Sequence, residues 1–247
     1  MKKIKLKKNE ILVLRTVSKD MTSTNGFKWP KKGSVECDDF IADYKCGHGL
    51  HGLPWNVGSA AYLDMNGLWL VVVVDTSKYY CHGKGDMADK CKFKSGKVVF
   101  CGEKDEAVKI VNGHAPLGSN CNWSNISSGN GSKISSGDGS NISSGDGSNI
   151  LSGDWSNISS GDWSKISSGN GSNISSGNGS KISSGNGSKI KSKKNTVQII
   201  DYWKDGKRYI KSRVITEQEA DKWYKFENEE FVICTDEESK KLDEVMK

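Results

Sequence analysis

The residue types best able to do chemistry crowd into one short stretch, Cys46-Gly47-His48-Gly49-Leu50-His51-Gly52, with Cys37 upstream and Cys81-His82 downstream. Thiols and imidazoles at short spacing are zinc ligands, so a metal site is one reading. The spacing fits no common zinc module. A glycine-rich turn leading into a buried strand, with His51 hydrogen-bonded to backbone, accounts for the same residues and is preferred, so no metal ligands are assigned. Cysteine beside histidine also raises nucleophilic chemistry, but that needs a base in reach and a third group to orient it, and the sequence shows neither. No catalytic residue is assigned on these grounds.

The elements around this stretch read as a small α+β domain. Residues 1–115 carry strand-like apolar runs at 11–17, 69–75 and 97–101 and a helical pattern at 103–111. The run Leu68-Trp69-Leu70-Val71-Val72-Val73-Val74 is apolar on both faces and should be a central strand covered on each side. Asn25-Gly26 and Lys32-Gly33, with Pro30, mark loops between outer strands.

Only 34% of the 247 residues are hydrophobic, low for one large core, so part of the chain must be built without one. The net charge of +6 does not form a basic stripe with interleaved aromatics. Lys2, Lys3, Lys5, Lys7 and Lys8 crowd the amino terminus and Lys191, Lys193 and Lys194 follow the repeats, so nucleic acid is not the expected partner. Ile11-Leu12-Val13-Leu14 is shorter than the roughly 7–15 apolar residues of a signal peptide. No run approaches the ~20 apolar residues of a membrane span. Seven scattered cysteines, an odd number, suit reduced thiols, and a cytoplasmic location without membrane partners is the expectation.

From Ser124 the composition turns to Ser, Gly, Asn, Asp and Ile with a strict period of eight, as in SNISSGNG, SKISSGDG, SNISSGDG and SNILSGDW. Isoleucine recurs at 126, 134, 142, 150, 158, 166, 174, 182 and 190. Flexible Ser/Gly linkers have no reason to hold a β-branched residue in phase, whereas a stacked coil needs one inward apolar residue per strand. Each octad therefore reads as a short strand followed by a Gly-Asn/Asp-Gly turn, and two octads close one coil of sixteen residues. The residue before isoleucine supports this, being Asn125, Asn141, Asn157 and Asn173 in one set of alternate octads and Lys133, Asn149, Lys165 and Lys181 in the other. Four coils should thus display Asn125, Asn141, Asn157 and Asn173 beside Ser127, Ser143, Ser159 and Ser175 on one face, with amides bonded up and down the column. The lysines mark the other, solvated face. Trp155 and Trp163 replace turn glycines and should sit on opposite edges of the stack as the only large apolar groups there. After the repeats, 196–203, 207–214 and 231–234 read as a hairpin about Asp205-Gly206 plus a strand, and 236–247 as a short helix placed to cover a strand edge.

The period, phase and Gly-x-Gly-Ser turn of this segment resemble the octapeptide repeat of bacterial ice-nucleation proteins. Asn-Ile-Ser or Lys-Ile-Ser stands where that family has Thr-x-Thr, so the threonine methyls of an ice-templating array are missing. A calcium-binding solenoid repeat has a nine-residue unit with Asp in each turn, and here only Asp138, Asp146, Asp154 and Asp162 occur. In the head, Leu12-Val13-Leu14-Arg15-Thr16, Met21-Thr22-Ser23, Gly26-Phe27-Lys28-Trp29-Pro30, the Cys-Gly-x-Gly-Leu-His-Gly motif, Leu68-Trp69-Leu70-Val71 and Cys101-Gly102-Glu103 resemble an uncharacterised domain of phages and bacteria, often placed just ahead of octapeptide repeats. The resemblance implies one architecture of head and repeats and a phage or bacterial source. More loosely, Arg15 followed by Gly49-Leu50-His51-Gly52 is similar to the NAD-binding core of ADP-ribosyltransferases, which implies Arg15 as a phosphate contact and His51 as a nicotinamide-side contact. No catalytic glutamate can be placed, so that likeness implies a non-catalytic relative.

The expected architecture is an α+β head (1–115), an all-β octapeptide solenoid (116–192) and a small β-rich carboxy-terminal cap of hairpin, strand and short helix (193–247). The expected function is non-catalytic binding or structural support through the Asn/Ser face, to a protein, a glycan, an ordered-water surface or a second solenoid. A nucleotide- or NAD-binding head with Arg15, Cys46, His48 and His51 is the alternative. No cofactor is assigned, zinc and NAD being the two conceivable ones.

Overall fold

The computed structural model describes residues 4–23, 25–81, 90–116 and 119–246, and the chain divides into two units, Met1–Cys121 and Asn122–Lys247. In the first, seven strands form one antiparallel sheet: β1 (Glu10–Val17), β2 (Gly33–Glu36), β3 (Leu50–Pro54), β4 (Leu68–Asp75), β5 (Tyr79–Cys81), β6 (Cys91–Phe93) and β7 (Ser95–Gly102), in the order β2-β7-β4-β1-β3-β6-β5. The doubly apolar run is β4, an interior strand paired along its whole length with β1 and bonded to β7 on its other side. Alternation along β1 and β4 sends Ile11, Val13, Leu70, Val72 and Val74 into one core with Trp29, Phe93 and Val98. Leu12, Leu14, Trp69 and Val71, also buried, are left for the face against which α1 (Lys104–Asn112) packs Ala107, Val108 and Val111. Asp105 and Glu106 in the first turn of α1 suit its positive end.

The last glycine of the Cys/His stretch is explained by packing. A Cβ on Gly52 would lie 2.4 Å from Val13 Cγ1 and 2.7 Å from the Leu14 carbonyl oxygen, because β3 runs antiparallel beside β1 with no room for a side chain there.

In the second unit the period of sixteen becomes the strand register. β8 (Asn125–Ser127), β10 (Asn141–Ser143), β12 (Asn157–Ser160), β14 (Asn173–Ser176) and β16 (Lys189–Ser192) stack in parallel in one sheet. β9 (Lys133–Ser135), β11 (Asn149–Leu151), β13 (Lys165–Ser167), β15 (Lys181–Ser184) and β17 (Val197–Lys204) stack in the other. Asn141 pairs with Asn125 and Asn157, and Ile158 with Ile142 and Ile174. The isoleucines of both sheets meet in a single narrow core, with Ile158, Ile174, Ile182 and Ile190 fully buried.

Five coils form rather than the four expected, because 188–203 completes another coil after the octapeptide consensus has decayed. β17 was expected in the cap, yet it pairs in parallel with β15, Val197 against Lys181 and Ile199 against Ser183. Gln198 takes the inward isoleucine position there and is buried without loss. It donates to Ser192 Oγ at 3.0 Å and accepts from Arg213 Nε and Nη2 at 3.0 and 2.8 Å. At the other end the stack begins with Asn122 and Trp123. Asn122 Oδ1 accepts from the Asp138 N–H at 2.8 Å, as the turn Asn and Asp side chains from Asn130 to Asn170 do for the coil above.

Two serine columns behave oppositely. From the third octad on, the serine that opens the octad is buried and ties coils together: Ser156 Oγ accepts from the Ser140 N–H and donates to the Gly153 carbonyl, both at 3.3 Å. The serine after Ile-Ser, such as Ser144 or Ser160, has a buried hydroxyl with no protein partner. Ser156→Ala should therefore cost about 1 kcal/mol, whereas Ser160→Ala should be neutral or stabilising, since an unpaired buried hydroxyl is itself a penalty. Urea denaturation of the two variants side by side measures the difference.

The carboxy-terminal segment caps both sheets. β18 (Lys207–Val214) pairs antiparallel with β17 through the Asp205-Gly206 turn, as expected, and β19 (Trp223–Glu227) pairs antiparallel with β16 and then with β20 (Glu230–Ile233). Ile200, Phe226 and Phe231 close the end of the isoleucine core. Helix α2 (Asp236–Val245), held by a Thr235/Glu238 capping box, packs Leu242 on Trp223 and Cys234.

Candidate functional site

Two places in the molecule have the chemistry to bind something, and each lies within one unit. On the first sheet of the solenoid the strand alternation turns isoleucine inward, so Asn125, Asn141, Asn157 and Asn173 and, beside them, Ser127, Ser143, Ser159 and Ser175 form two straight columns. The asparagine amides bond in series, each Nδ2 donating to the Oδ1 one coil below at 2.9 Å. Each interior amide thereby spends one N–H and one lone pair and keeps one of each for an outside partner, at a repeat of about 4.8 Å. The array ends at the fifth coil, where Lys189 follows Asn173 and Lys191 follows Ser175.

The opposite sheet is irregular. Lys133, Asn149, Lys165 and Lys181 flank a shallow groove of about 490 Å³ into which Leu151 projects, half exposed. Trp155 and Trp163 lie on opposite turn edges as expected, each with a left-handed backbone (φ 54° and 58°) and an indole lying across the glycine one coil on, Gly171 or Gly179. They are not alone, since Trp123 (φ 52°) covers Gly139 on the same edge as Trp155.

In the head, a cavity of about 720 Å³ is lined by Arg15 from β1, His51 from β3, Cys46 and Asp39 from the preceding loop, and Lys90. Three of the four head residues singled out from the sequence therefore meet. His48 does not line this cavity; its exposed imidazole has Nδ1 3.8 Å from Asp39 Oδ2. Arg15 donates from Nη1 to the His51 carbonyl oxygen at 2.6 Å and lies over the Trp29 ring at 4.7 Å. His51 Nε2 is buried with no protein partner, and the backbone bond of His51 is made by its carbonyl. Burial lowers the Arg15 pKa to about 10. Burial first, then the charges of Lys90, Arg15 and Lys92, hold His51 at about 4. Lys90, which the sequence pattern did not single out, donates to Cys46 Sγ at 3.0 Å and sits over Tyr62 at 4.3 Å. Among the described residues no three His, Cys, Asp or Glu side chains converge as metal ligands. The Cys81 side chain and the whole of His82 lie outside the described residues.

The depressed pKa of His51 has a consequence for stability. Above about pH 6.5, the ordinary value for histidine, the imidazole is neutral whether the chain is folded or unfolded, and its contribution is fully present. As the pH falls towards 4, the unfolded chain binds a proton that the folded head resists, so stability drops. Melting temperatures between pH 7 and 4 should fall less steeply for His51→Gln than for the unaltered chain.

The fold and these surfaces define a repeat protein: a β-rich head followed by a β-solenoid with a repetitive outer face. Residues 11–110 match a family described as a domain of unknown function, DUF7666. The chain is 33% identical over 113 residues to an ice nucleation protein of Pseudomonas fluorescens, covering 43% of this chain and 9% of that protein. It is 29% identical over 120 residues to the ice nucleation protein InaU of Pantoea ananas, covering 44% and 10%. An ice nucleation protein of Pseudomonas syringae is 31% identical over 105 residues, covering 42% and 9%. The chain thus spans about a tenth of the length of the curated relatives it matches. No solved structure matches it. No helix among the described residues is long and apolar enough to cross a membrane.

Proposed function

We propose that this chain is a non-catalytic binding protein of phage or bacterial accessory type, working in the cytoplasm, whose solenoid presents the Asn/Ser face to a repetitive surface, ordered water being the first to test. The observation that carries the reading is the amide ladder: identical groups at a fixed repeat, held rigid by their own bonds, each with one donor and one acceptor left over. Rigid, pre-ordered groups lose little entropy on binding. The relatives' printed names, ice nucleation protein, favour water over a glycan or protein lattice.

Thermal hysteresis and droplet freezing of the whole chain test it. Asn141→Lys with Asn157→Lys breaks all three ladder bonds and places charge on the face, leaves the isoleucines untouched, and should abolish any shift in freezing behaviour. Lys133→Asn with Lys165→Asn on the other face should leave that shift unchanged. An effect lost only in the lysine-face variant would assign function to the groove beside Leu151 instead.

A further inference from the structure

Two cations, Arg15 and Lys90, line the head cavity, and among the described residues neither is ion-paired with a carboxylate. Arg15 is largely buried, and among the described residues its Nε has no partner and no carboxylate forms an ion pair with it. Lys90 is buried, 8% exposed, and among the described residues its Nζ meets Cys46 Sγ and the Tyr62 ring. The two carboxylates of the lining are turned to other partners: Asp64 Oδ1 accepts from the Asn66 N–H at 2.9 Å, and Asp39 faces His48. Between the cations, His51 presents an unpartnered buried Nε2. Burying a cation without a counter-charge costs stability, which a carbonyl, a thiol and two aromatic rings offset only in part. Arginine's planar fork is matched by the paired oxygens of a phosphate or carboxylate. The remaining walls include Phe27, Leu50, Leu53 and Tyr62, which suit a ring or apolar body. The volume of about 720 Å³ lies within the range of small-molecule sites.

We propose that the head cavity binds a small organic anion, its phosphate or carboxylate on Arg15 and Lys90 and its ring against the apolar wall. This site is independent of the solenoid face and stands or falls without it.

Calorimetric titration of the full chain with AMP, benzoate and uncharged adenosine tests the site. Saturable binding of AMP or of benzoate, with adenosine at least tenfold weaker than AMP, supports it, and the tighter of the two anions names the charged group. Arg15→Gln should weaken binding at least tenfold and Arg15→Lys less. Lys90→Met, a second route should the Arg15 variant not fold, should also weaken it several-fold. AMP or benzoate should raise the melting temperature of the unaltered chain and not that of Arg15→Gln, whereas a purely structural arginine, through its bond to the His51 carbonyl, would lower the ligand-free melt and leave the ligand's effect intact. No binding of either anion at millimolar concentration, or binding indifferent to both Arg15→Gln and Lys90→Met, overturns the proposal.

Discussion

Ile158→Asp should unfold the solenoid at its middle. Ile158 is fully buried, stacked between Ile142 and Ile174 in a core one isoleucine wide per strand. An aspartate there brings a carboxylate into a space with no described cation, and the loss is expected to exceed about 4 kcal/mol, the range reserved for unpaired buried charges. Stability in a stacked array comes from nearest neighbours, so a failed central coil leaves two short stacks on either side, neither with a core long enough to stand well. Far-UV circular dichroism and urea denaturation of the full chain should show loss of strand signal and a lower midpoint. Ile158→Val, which removes one methyl group, should cost only about 1 kcal/mol. An unchanged melt for Ile158→Asp would mean that the isoleucine column does not hold the coils together.

The second large effect concerns the two turn glycines, which are not equivalent. The second one has a left-handed backbone, as at Gly147 (φ 66°), where a Cβ meets nothing within 4 Å. Tryptophan or asparagine occupies this place at Trp155, Trp163 and Asn195. The first one is crowded: a Cβ on Gly161 would lie 1.9 Å from Asp146 Oδ1 and 2.8 Å from the Asp146 backbone nitrogen. That carboxylate oxygen accepts from the Asp162 N–H at 2.8 Å, so it cannot move without breaking the rung. The last coil shows the outcome, because Lys193 stands at this position and the Asn178 side chain has swung onto the Asp162 carboxylate, at 3.3 and 3.2 Å. Gly161→Ala should therefore cost about 2–3 kcal/mol, as overpacking and a lost bond add, whereas Gly147→Ala should cost about 1 kcal/mol of backbone strain. Hydrogen exchange should show the Asp162 amide unprotected in the first variant only. Equal costs at the two positions would refute the distinction.

Much of the solenoid was legible because its information is local and repeated. One β-branched residue at constant phase determines which side chains turn inward, glycine and Asn/Asp determine where the chain reverses, and the alternation of Asn and Lys reveals that two octads make a coil. Stacking then converts spacing along the chain into position in space, so Asn125, Asn141, Asn157 and Asn173 had to fall in one column and Trp155 and Trp163 on opposite edges. Strands β1 and β4 and helix α1 were legible for the same reason, since their apolar periodicity is a local property. Where the local signal faded, the reading stopped short: the fifth coil carries Gln198 in place of isoleucine, and its bonds to Ser192 and to the distant Arg213 make that glutamine acceptable inside. The different roles of the two turn glycines were likewise invisible, because the first is constrained by a side chain from the coil below and not by its own backbone.

In the head the balance is reversed. Sequence alone marked Arg15, Cys46, His48 and His51 as chemically able, but it could not say which of them meet, and it gave Lys90 no signal at all. Strand pairing decides this, bringing β1 beside β3 so that Arg15 reaches the His51 carbonyl oxygen across thirty-six positions of chain, and leaving His48 outside the cavity. A repeat writes its geometry into every eight residues, whereas a cavity is made by segments that have no sequence relation to one another, and only their packing determines which charges it encloses.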